Sequence, residues 1–227
     1  RARCAERRDH GDAAGGAFIV AIVARVYLAN RLPEPEWLGP IPDHWQVNRL
    51  KYTIAALESG VSVNAADLPA GDDEVGVLKT SCVYTGRFRA SENKSVFPDE
   101  ISRVKCPVRN NAIIISRMNT PDLVGASGLV TRPHRNLFLP DRLWQTAFRP
   151  EAAVVPQYLA YFLGTEGFRK QVSLAAEGAS SSMQNVAKPD FLAIPTTIPP
   201  LAEQTQIAKF LDYETAKIDA LIEKQQQ

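Results

Sequence analysis

Ile194-Pro-Thr-Thr-Ile-Pro-Pro-Leu-Ala-Glu-Gln-Thr-Gln-Ile-Ala-Lys-Phe-Leu211 takes the chain from an extended segment into a helix. Pro199-Pro200 stops what precedes it, because proline lacks an N–H and fixes φ, yet proline is well placed in a first helical turn. The 27 residues from Leu201 to Gln227 then contain neither glycine nor proline. Leu201, Gln204, Ala208, Leu211, Thr215, Ile218 and Ile222 fall on alternating three- and four-residue steps. That spacing is a heptad-like seam in which Gln204 and Thr215 are the polar members. At about 1.5 Å per residue the helix extends roughly 40 Å. Such a helix outgrows a domain of this size, which points to a partner helix or to a fragment of a longer chain. The competing reading folds an ordinary amphipathic helix back onto the body.

Upstream, Pro156 to Val172 reads as one helix with a stripe of Leu159, Phe162 and Leu163, weakened by Gly164 and Gly167. Gly178-Ala-Ser-Ser-Ser-Met-Gln-Asn185 reads as a small polar loop, Pro189 to Leu192 as one helical turn, and the next residues to Thr197 as a short strand. Between 75 and 149 the pattern changes to short β-prone runs: Val75–Leu78, Ile101–Val108, Ala112–Ser116, Gly128–Thr131 and Trp144–Phe148. Asn110-Asn111 suits a tight hairpin turn between two of them. Val47, Leu50, Ile54 and Leu57 share one face of an expected helix, ended by Ser59-Gly60. Four prolines between 33 and 42 make that segment an extended arm, with Trp37, Ile41 and Trp45 to pack on the domain. The expected fold class is α+β: a mixed or antiparallel sheet followed by a long C-terminal helix. The expected divisions are an N-terminal extension at 1–33, a domain at 34–198 and the helix at 199–227.

The 227 residues suit one domain of ordinary size with an appendage. At 45% hydrophobic and 22% charged residues the chain has a globular, not a disordered, composition. The net charge of +1 hides a local imbalance. Residues 34–78 carry 2 basic and 8 acidic side chains, whereas residues 79–149 carry 12 and 5. Nine of those twelve cations are arginines, among them Arg87, Arg89, Arg117, Arg132, Arg135 and Arg142. Arginine presents a planar fork that matches phosphate and the guanine edge. Cys4, Cys82 and Cys106 are too few and too scattered for a disulfide framework or zinc ribbon, which fits a reduced, cytoplasmic compartment. The basic residues Arg1, Arg3, Arg7 and Arg8 ahead of Ala17–Ala29 imitate a signal peptide, but Arg25 interrupts the apolar run. No run reaches the roughly 18 apolar residues that a membrane span requires.

Catalytic signatures are absent from the sequence. Gly71 to Thr80 misspaces a phosphate loop and carries carboxylates that would repel phosphate. Pro-Asp occurs at 98–99, 121–122, 140–141 and 189–190, but no Asp/Glu-x-Lys nuclease partner follows any of them. His10, His44 and His134 are scattered, and no metal-ligand spacing appears. There is no Gly-x-Ser-x-Gly elbow, no dinucleotide loop and no methyltransferase motif. The residues describe a binding module.

Four segments carry a family resemblance. They are Glu36-Trp-Leu-Gly-Pro-Ile-Pro-Asp-His-Trp-Gln-Val-Asn-Arg-Leu-Lys51, Ala112-Ile-Ile-Ile-Ser-Arg-Met-Asn-Thr-Pro-Asp-Leu-Val-Gly125, Gly178–Asn185 and Ile194–Leu211. In this order they resemble the specificity subunit of type I restriction–modification enzymes over residues 34–227, and the Pro-Pro-Leu-x-Glu-Gln run is the most specific piece. The resemblance implies a target recognition domain at 34–198 that reads one half of a split double-stranded DNA target, with 199–227 as its spacer helix. A full subunit has two such domains with antiparallel helices, so this chain is similar to a half subunit, and a homodimer through the helix would restore the whole. The implied partners are adenine-methyltransferase subunits and a restriction/translocase subunit. Catalysis and S-adenosylmethionine would belong to those partners, and no cofactor or metal to this chain.

Under that resemblance Arg117, Asn119 and Thr120 lie where a strand must turn. There Arg117 suits a guanine edge and Asn119 an adenine edge, while a phosphate contact or an internal salt bridge is the competing role for Arg117. Ser180, Ser181, Ser182, Gln184 and Asn185 offer short polar groups for phosphates and base edges, or form a plain solvated loop. Lys79, Thr80 and Arg87 bracket a further loop. The rival to DNA recognition is a helix-mediated interaction adaptor, or a degenerate fragment without DNA specificity.

Overall fold

The computed structural model describes residues 35–180 and 183–226. The readings of residues 1–33, and those of Ser181 and Ser182, lie outside the described residues. Among the described residues thirteen strands run in order as β1 (Gln46–Arg49), β2 (Ile54–Glu58), β3 (Ala65–Ala66), β4 (Gly76–Leu78), β5 (Asn93–Val96), β6 (Ile113–Ser116) and β7 (Met118–Asn119), then β8 (Ser127–Leu129), β9 (Leu137–Phe138), β10 (Leu143–Phe148), β11 (Glu177–Ser180), β12 (Met183–Asn185) and β13 (Pro195–Ile198). The helices are α1 (Pro156–Gly164), α2 (Glu166–Ala175), α3 (Lys188–Ala193) and α4 (Leu201–Gln226). The strands form four sheets, ordered β2-β10-β6-β8, β3-β5-β4-β9, β11-β12-β7 and β1-β13. Every pairing is antiparallel except β4 with β9. The architecture is therefore α+β with mainly antiparallel sheets and a long C-terminal helix, as the sequence led us to expect.

The centre is the run Ile113-Ile114-Ile115. Strand side chains alternate between faces. Ile113 and Ile115 enter a core with Trp144, Leu159, Phe168 and Phe191, while Ile114 enters a second core with Cys82, Val83, Leu139 and Leu143. All three isoleucines are fully buried, and each such burial is worth about 1.5–3 kcal/mol. A sheet covered on both faces has no polar alternation, which is why this stretch is continuously apolar.

Several local expectations are corrected. The stretch 47–57 is not a helix. It is β1, a 3-10 turn at Leu50–Tyr52, and β2. Val47, Leu50, Ile54 and Leu57 are all buried, so the three- and four-residue spacing marked the core while long-range strand pairing set the backbone. Ile101–Val108 is not a strand: Pro98–Arg103 is a 3-10 helix with proline in its first turn, and an isolated bridge joins Pro107 to Phe138. Asn111 does turn, at φ 59, but the turn leads into β6 and does not join two paired strands. The helix expected over 156–172 is two helices. Thr165 breaks it with extended backbone and caps α2, its Oγ1 accepting from Phe168 N at 3.4 Å. The polar loop at 178–185 includes the strands β11 and β12, and β12 also pairs with β7.

The Pro-rich arm packs as expected at Trp37, which lies 6.3 Å from Phe162 and closes over Gly167. Farther on, Trp45 Nε1 donates to Glu203 Oε2 at 2.8 Å, and His44 Nε2 sits 2.7 Å from Glu203 Oε1. The Trp45 bond, then His44, holds the Glu203 carboxyl below its usual range. A depressed folded-state pKa gives stability that is present above the unfolded value and lost as pH falls through the folded one. Because the folded carboxyl is held below the ordinary value of 4.5, acidification well past that value should loosen the hold on Trp45, and its fluorescence reports this. A spectrum unchanged down to pH 3 would show that the arm holds without Glu203.

Among the described residues no helix is long and apolar enough to cross a membrane.

Candidate nucleic-acid interface

β6 ends at the fully buried Ser116, and the chain bends at Arg117 to continue as β7. The bend is held on both sides: Arg117 N donates to Arg142 O at 3.1 Å, and Val186 N donates to Arg117 O at 3.1 Å. Across β7 and β12, Asn119 faces Gln184 and Met118 faces Asn185. The structure thereby brings Arg117, Asn119, Gln184 and Asn185 together on one small sheet, with Ser180 on its outer strand.

Arg117 is half buried. Its guanidinium carbon lies 5.8 Å from the centre of the Trp144 ring, and Nε donates to Asn185 Oδ1 at 3.3 Å. Trp144 is itself fixed by an edge-on Phe191 at 5.9 Å. One edge of the fork is thus anchored, and among the described residues neither Nη has a protein acceptor or a carboxylate partner. The internal salt bridge is therefore not made. A stacked arginine with free Nη donors is pre-organised for a bidentate acceptor.

Asn119 is placed differently from its expected role. It is 8% exposed, and Nδ2 donates to Tyr84 Oη at 2.9 Å and Ser116 Oγ at 3.2 Å. Oδ1 accepts from Thr120 N at 2.9 Å. Its amide thus fixes the bend. Tyr84 Oη also lies 2.8 Å from Thr80 Oγ1, so Thr80 reaches the same cluster through a tyrosine that sequence reading passed over. Thr120 is exposed, and its carbonyl accepts from Leu123 and Val124. Ser173 Oγ sits at the limit of hydrogen bonding, 3.5 Å from Gln184 Oε1.

The remaining candidates have partners elsewhere. Lys79 and Lys94 share Asp67 at 3.2 and 3.1 Å, and the Lys94 bond, then Lys79, holds that carboxyl below its usual range. Arg87 Nη1 meets Asp219 Oδ2 of α4 at 2.5 Å. By contrast Arg132, Arg135 and Arg142 are exposed and have no ion pair among the described residues. Arg142 adjoins Arg117 across the β6–β10 pairing and was legible only as one more arginine in the basic stretch. Among the described residues the two thiols are held toward the protonated form: burial pushes Cys82 up to about 12, and burial, then Glu58, raises Cys106.

The helix seam divides in two. Gln204 and Ala208 are buried against the chain's own domain. Gln204 accepts from Val155 N at 2.7 Å and donates to Ala153 O at 2.9 Å and Pro199 O at 2.8 Å. Leu211 and Thr215 are half buried and line an open cleft of about 660 Å³ between α4, α1 and the Thr85–Phe88 turn. Asp212 is tied to α1 by Tyr161 Oη at 2.6 Å and Gln157 Nε2 at 2.9 Å. Leu201 at the helix start and Ile218 and Ile222 near its end are exposed, as are Phe210, Tyr213 and Leu221.

A family model described as the type I restriction modification DNA specificity domain matches residues 88–227. The chain is 22% identical over 173 residues to the type I restriction enzyme EcoEI specificity subunit of Escherichia coli, a match covering 76% of this chain and 29% of that protein. It is 25% identical over 184 residues to the StySPI specificity subunit of Salmonella potsdam, covering 80% and 38%. Among solved structures it is similar to the HsdS subunit from Thermoanaerobacter tengcongensis, with TM-score 0.55, 18% identity and coverage of 93% of this chain and 47% of that one. The type I S subunit of M. genitalium gives TM-score 0.54 and 14% identity over 85% and 43%. The chain thus spans 29% to 38% of the length of these curated relatives and under half of these solved chains.

Proposed function

The chain belongs to the type I restriction–modification DNA specificity family, and from that premise we propose that it is a non-catalytic DNA-recognition module, reading one half of a split duplex target and directing partner subunits to it. The observation that carries the reading is Arg117: a guanidinium stacked on Trp144, anchored by Asn185 and free at both Nη. Arg117 supplies the bidentate donor, the adjoining Arg142 a phosphate contact, and Gln184, Asn185 and the β11–β12 segment the rest of the face. Asn119 and Tyr84 position this face. The exposed Ile218 and Ile222, with the stripe of Phe210, Tyr213 and Leu221, serve assembly: a second copy of this chain and adenine-methyltransferase subunits, which would bring S-adenosylmethionine, and a restriction/translocase subunit beyond them. The compartment is the cytoplasm, where the DNA is.

Random duplex selection at about 150 mM salt, with the chain co-purified with its adenine-methyltransferase subunit, tests the reading. A split palindromic consensus is the expected result. No enriched site from a complex that still assembles would favour the alternative suggested by the exposed helix stripe, an adaptor in which α4 alone works.

Arg117→Ala is expected to weaken binding to the selected site by about 5- to 150-fold, the range of one lost bidentate base contact. Binding to unrelated duplex should fall far less. Arg117→Lys keeps the charge without the fork and should lose most of the preference too. Unchanged site preference in Arg117→Ala would remove Arg117 from the reading surface.

A further inference from the structure

We propose that Asp219 occupies Arg87 in place of a DNA phosphate, so that duplex binding and attachment of the outer half of α4 compete for one guanidinium. This rests on the DNA-reading function proposed above.

Arg87 follows Gly86, whose φ of +76 turns the chain back over the central sheet. The turn presses directly on β8. A Cβ on Gly128 would stand 2.5 Å from Phe88 N and 2.7 Å from Arg87 C, so only glycine admits the loop there. Gly128 pairs with Ile114, three residues before Arg117 on β6. At about 3.4 Å per residue the Arg87 turn is therefore seated roughly 10 Å along the strand from Arg117, within the footprint of one duplex. Phe88 meets His134 edge-on at 5.5 Å, in the loop that carries Arg132 and Arg135.

These three arginines differ in one respect. Arg132 and Arg135 have no carboxylate among the described residues, while Arg87 is held by Asp219. The Asp219 carboxylate comes from a helix that is buried at Gln204 and Ala208 and last tied to α1 at Asp212, about two turns before Asp219. The open cleft of about 660 Å³ lies on the near side of the pair, lined by Arg87 and Phe88 on the domain and Asp212, Thr215 and Ala216 on α4. The pair therefore ties the outer helix to the domain beyond a gap that packing does not fill.

Both partners are well exposed, 57% for Arg87 and 45% for Asp219, so the pair is weak and screened by salt. A phosphate can likewise accept two N–H groups of the guanidinium, and the DNA backbone adds neighbouring negative charge. A duplex lying against the Arg87 turn can take Arg87 from Asp219, and the outer turns of α4 then lose that tie.

A double-mutant cycle tests this on the full chain, titrated with one fixed duplex at 50 and 200 mM salt. Asp219→Asn frees Arg87. Glu223→Gln, one turn farther on, removes the same charge from an exposed residue that has no partner among the described residues. Asp219→Asn should tighten binding about two- to fivefold at 50 mM, the range that one exposed pair can supply. Its advantage should shrink at 200 mM, because salt already loosens the pair. Glu223→Gln should show less gain, and in an Arg87→Ala background Asp219→Asn should lose its gain. Equal effects of Asp219→Asn and Glu223→Gln, or a gain that survives Arg87→Ala, would overturn the competition and leave DNA reading intact. A wild-type chain with no affinity for any duplex would overturn both.

Discussion

Alanine at position 60 will leave little folded protein. Gly60 ends the segment after β2, where its N–H donates to Pro140 O at 3.2 Å. A Cβ built there would lie 1.6 Å from Leu139 O, 2.6 Å from Leu139 C and 2.9 Å from Lys105 O. All three are backbone atoms, and two belong to Leu139, which is buried in the second core. No rotamer change relieves such a contact, so two chain segments must separate. We expect a loss of more than about 4 kcal/mol, among the largest effects of single substitutions. That approaches the whole stability of an ordinary domain, about 5–15 kcal/mol. Gly71→Ala is the control, because its Cβ meets only the Glu74 side chain, at 3.9 Å. Urea midpoints of the two variants decide the matter. A Gly60→Ala midpoint within experimental error of that for Gly71→Ala would refute the close approach.

Leucine in place of Gln204 is the second large effect. The side chain is fully buried and satisfies Val155 N, Ala153 O and Pro199 O at once. Leucine keeps the volume and orphans all three backbone groups. The Pro199 bond is buried, and leaving its carbonyl unsatisfied costs about 1–3 kcal/mol, to which the part-buried Val155 and Ala153 groups, nearer to water, add less. The loss should appear in urea unfolding of the chain alone and should not depend on protein concentration. The heptad reading makes a different forecast: a polar seam residue facing another chain would alter assembly on dilution and leave the domain's own stability untouched. A concentration-dependent effect confined to assembly would restore Gln204 to a helix–helix seam.

These contrasts show what one-dimensional pattern carries. Ile113-Ile114-Ile115 and the Pro199-Pro200 boundary were legible because each encodes its environment locally: a strand covered on two faces, and a helix that cannot begin earlier. Val47, Leu50, Ile54 and Leu57 have the spacing of a helical face yet lie on two strands and a turn, since burial leaves the same spacing whichever backbone delivers it. The strands β11 and β12 were missed because short polar residues carry no alternation to read. Of the candidate face, Arg117 stands out in the sequence by its residue type at a strand end. Its support could not be found, because Trp144, Asn185 and Tyr84 approach from positions that only the fold brings near. The Arg87–Asp219 pair spans 132 residues of chain and leaves no local trace at all.

The pairing of β1 with β13 joins Gln46–Arg49 to Pro195–Ile198, nearly the two ends of the described domain. Ribosomes add about 5–20 residues per second, so β1 waits roughly 7–30 seconds after emerging before its partner exists. Until then its backbone donors and acceptors are an open edge, the kind that pairs with the wrong chain. The domain thus closes last where it was made first, and a nascent chain stalled before residue 195 exposes that edge whatever the state of its two cores.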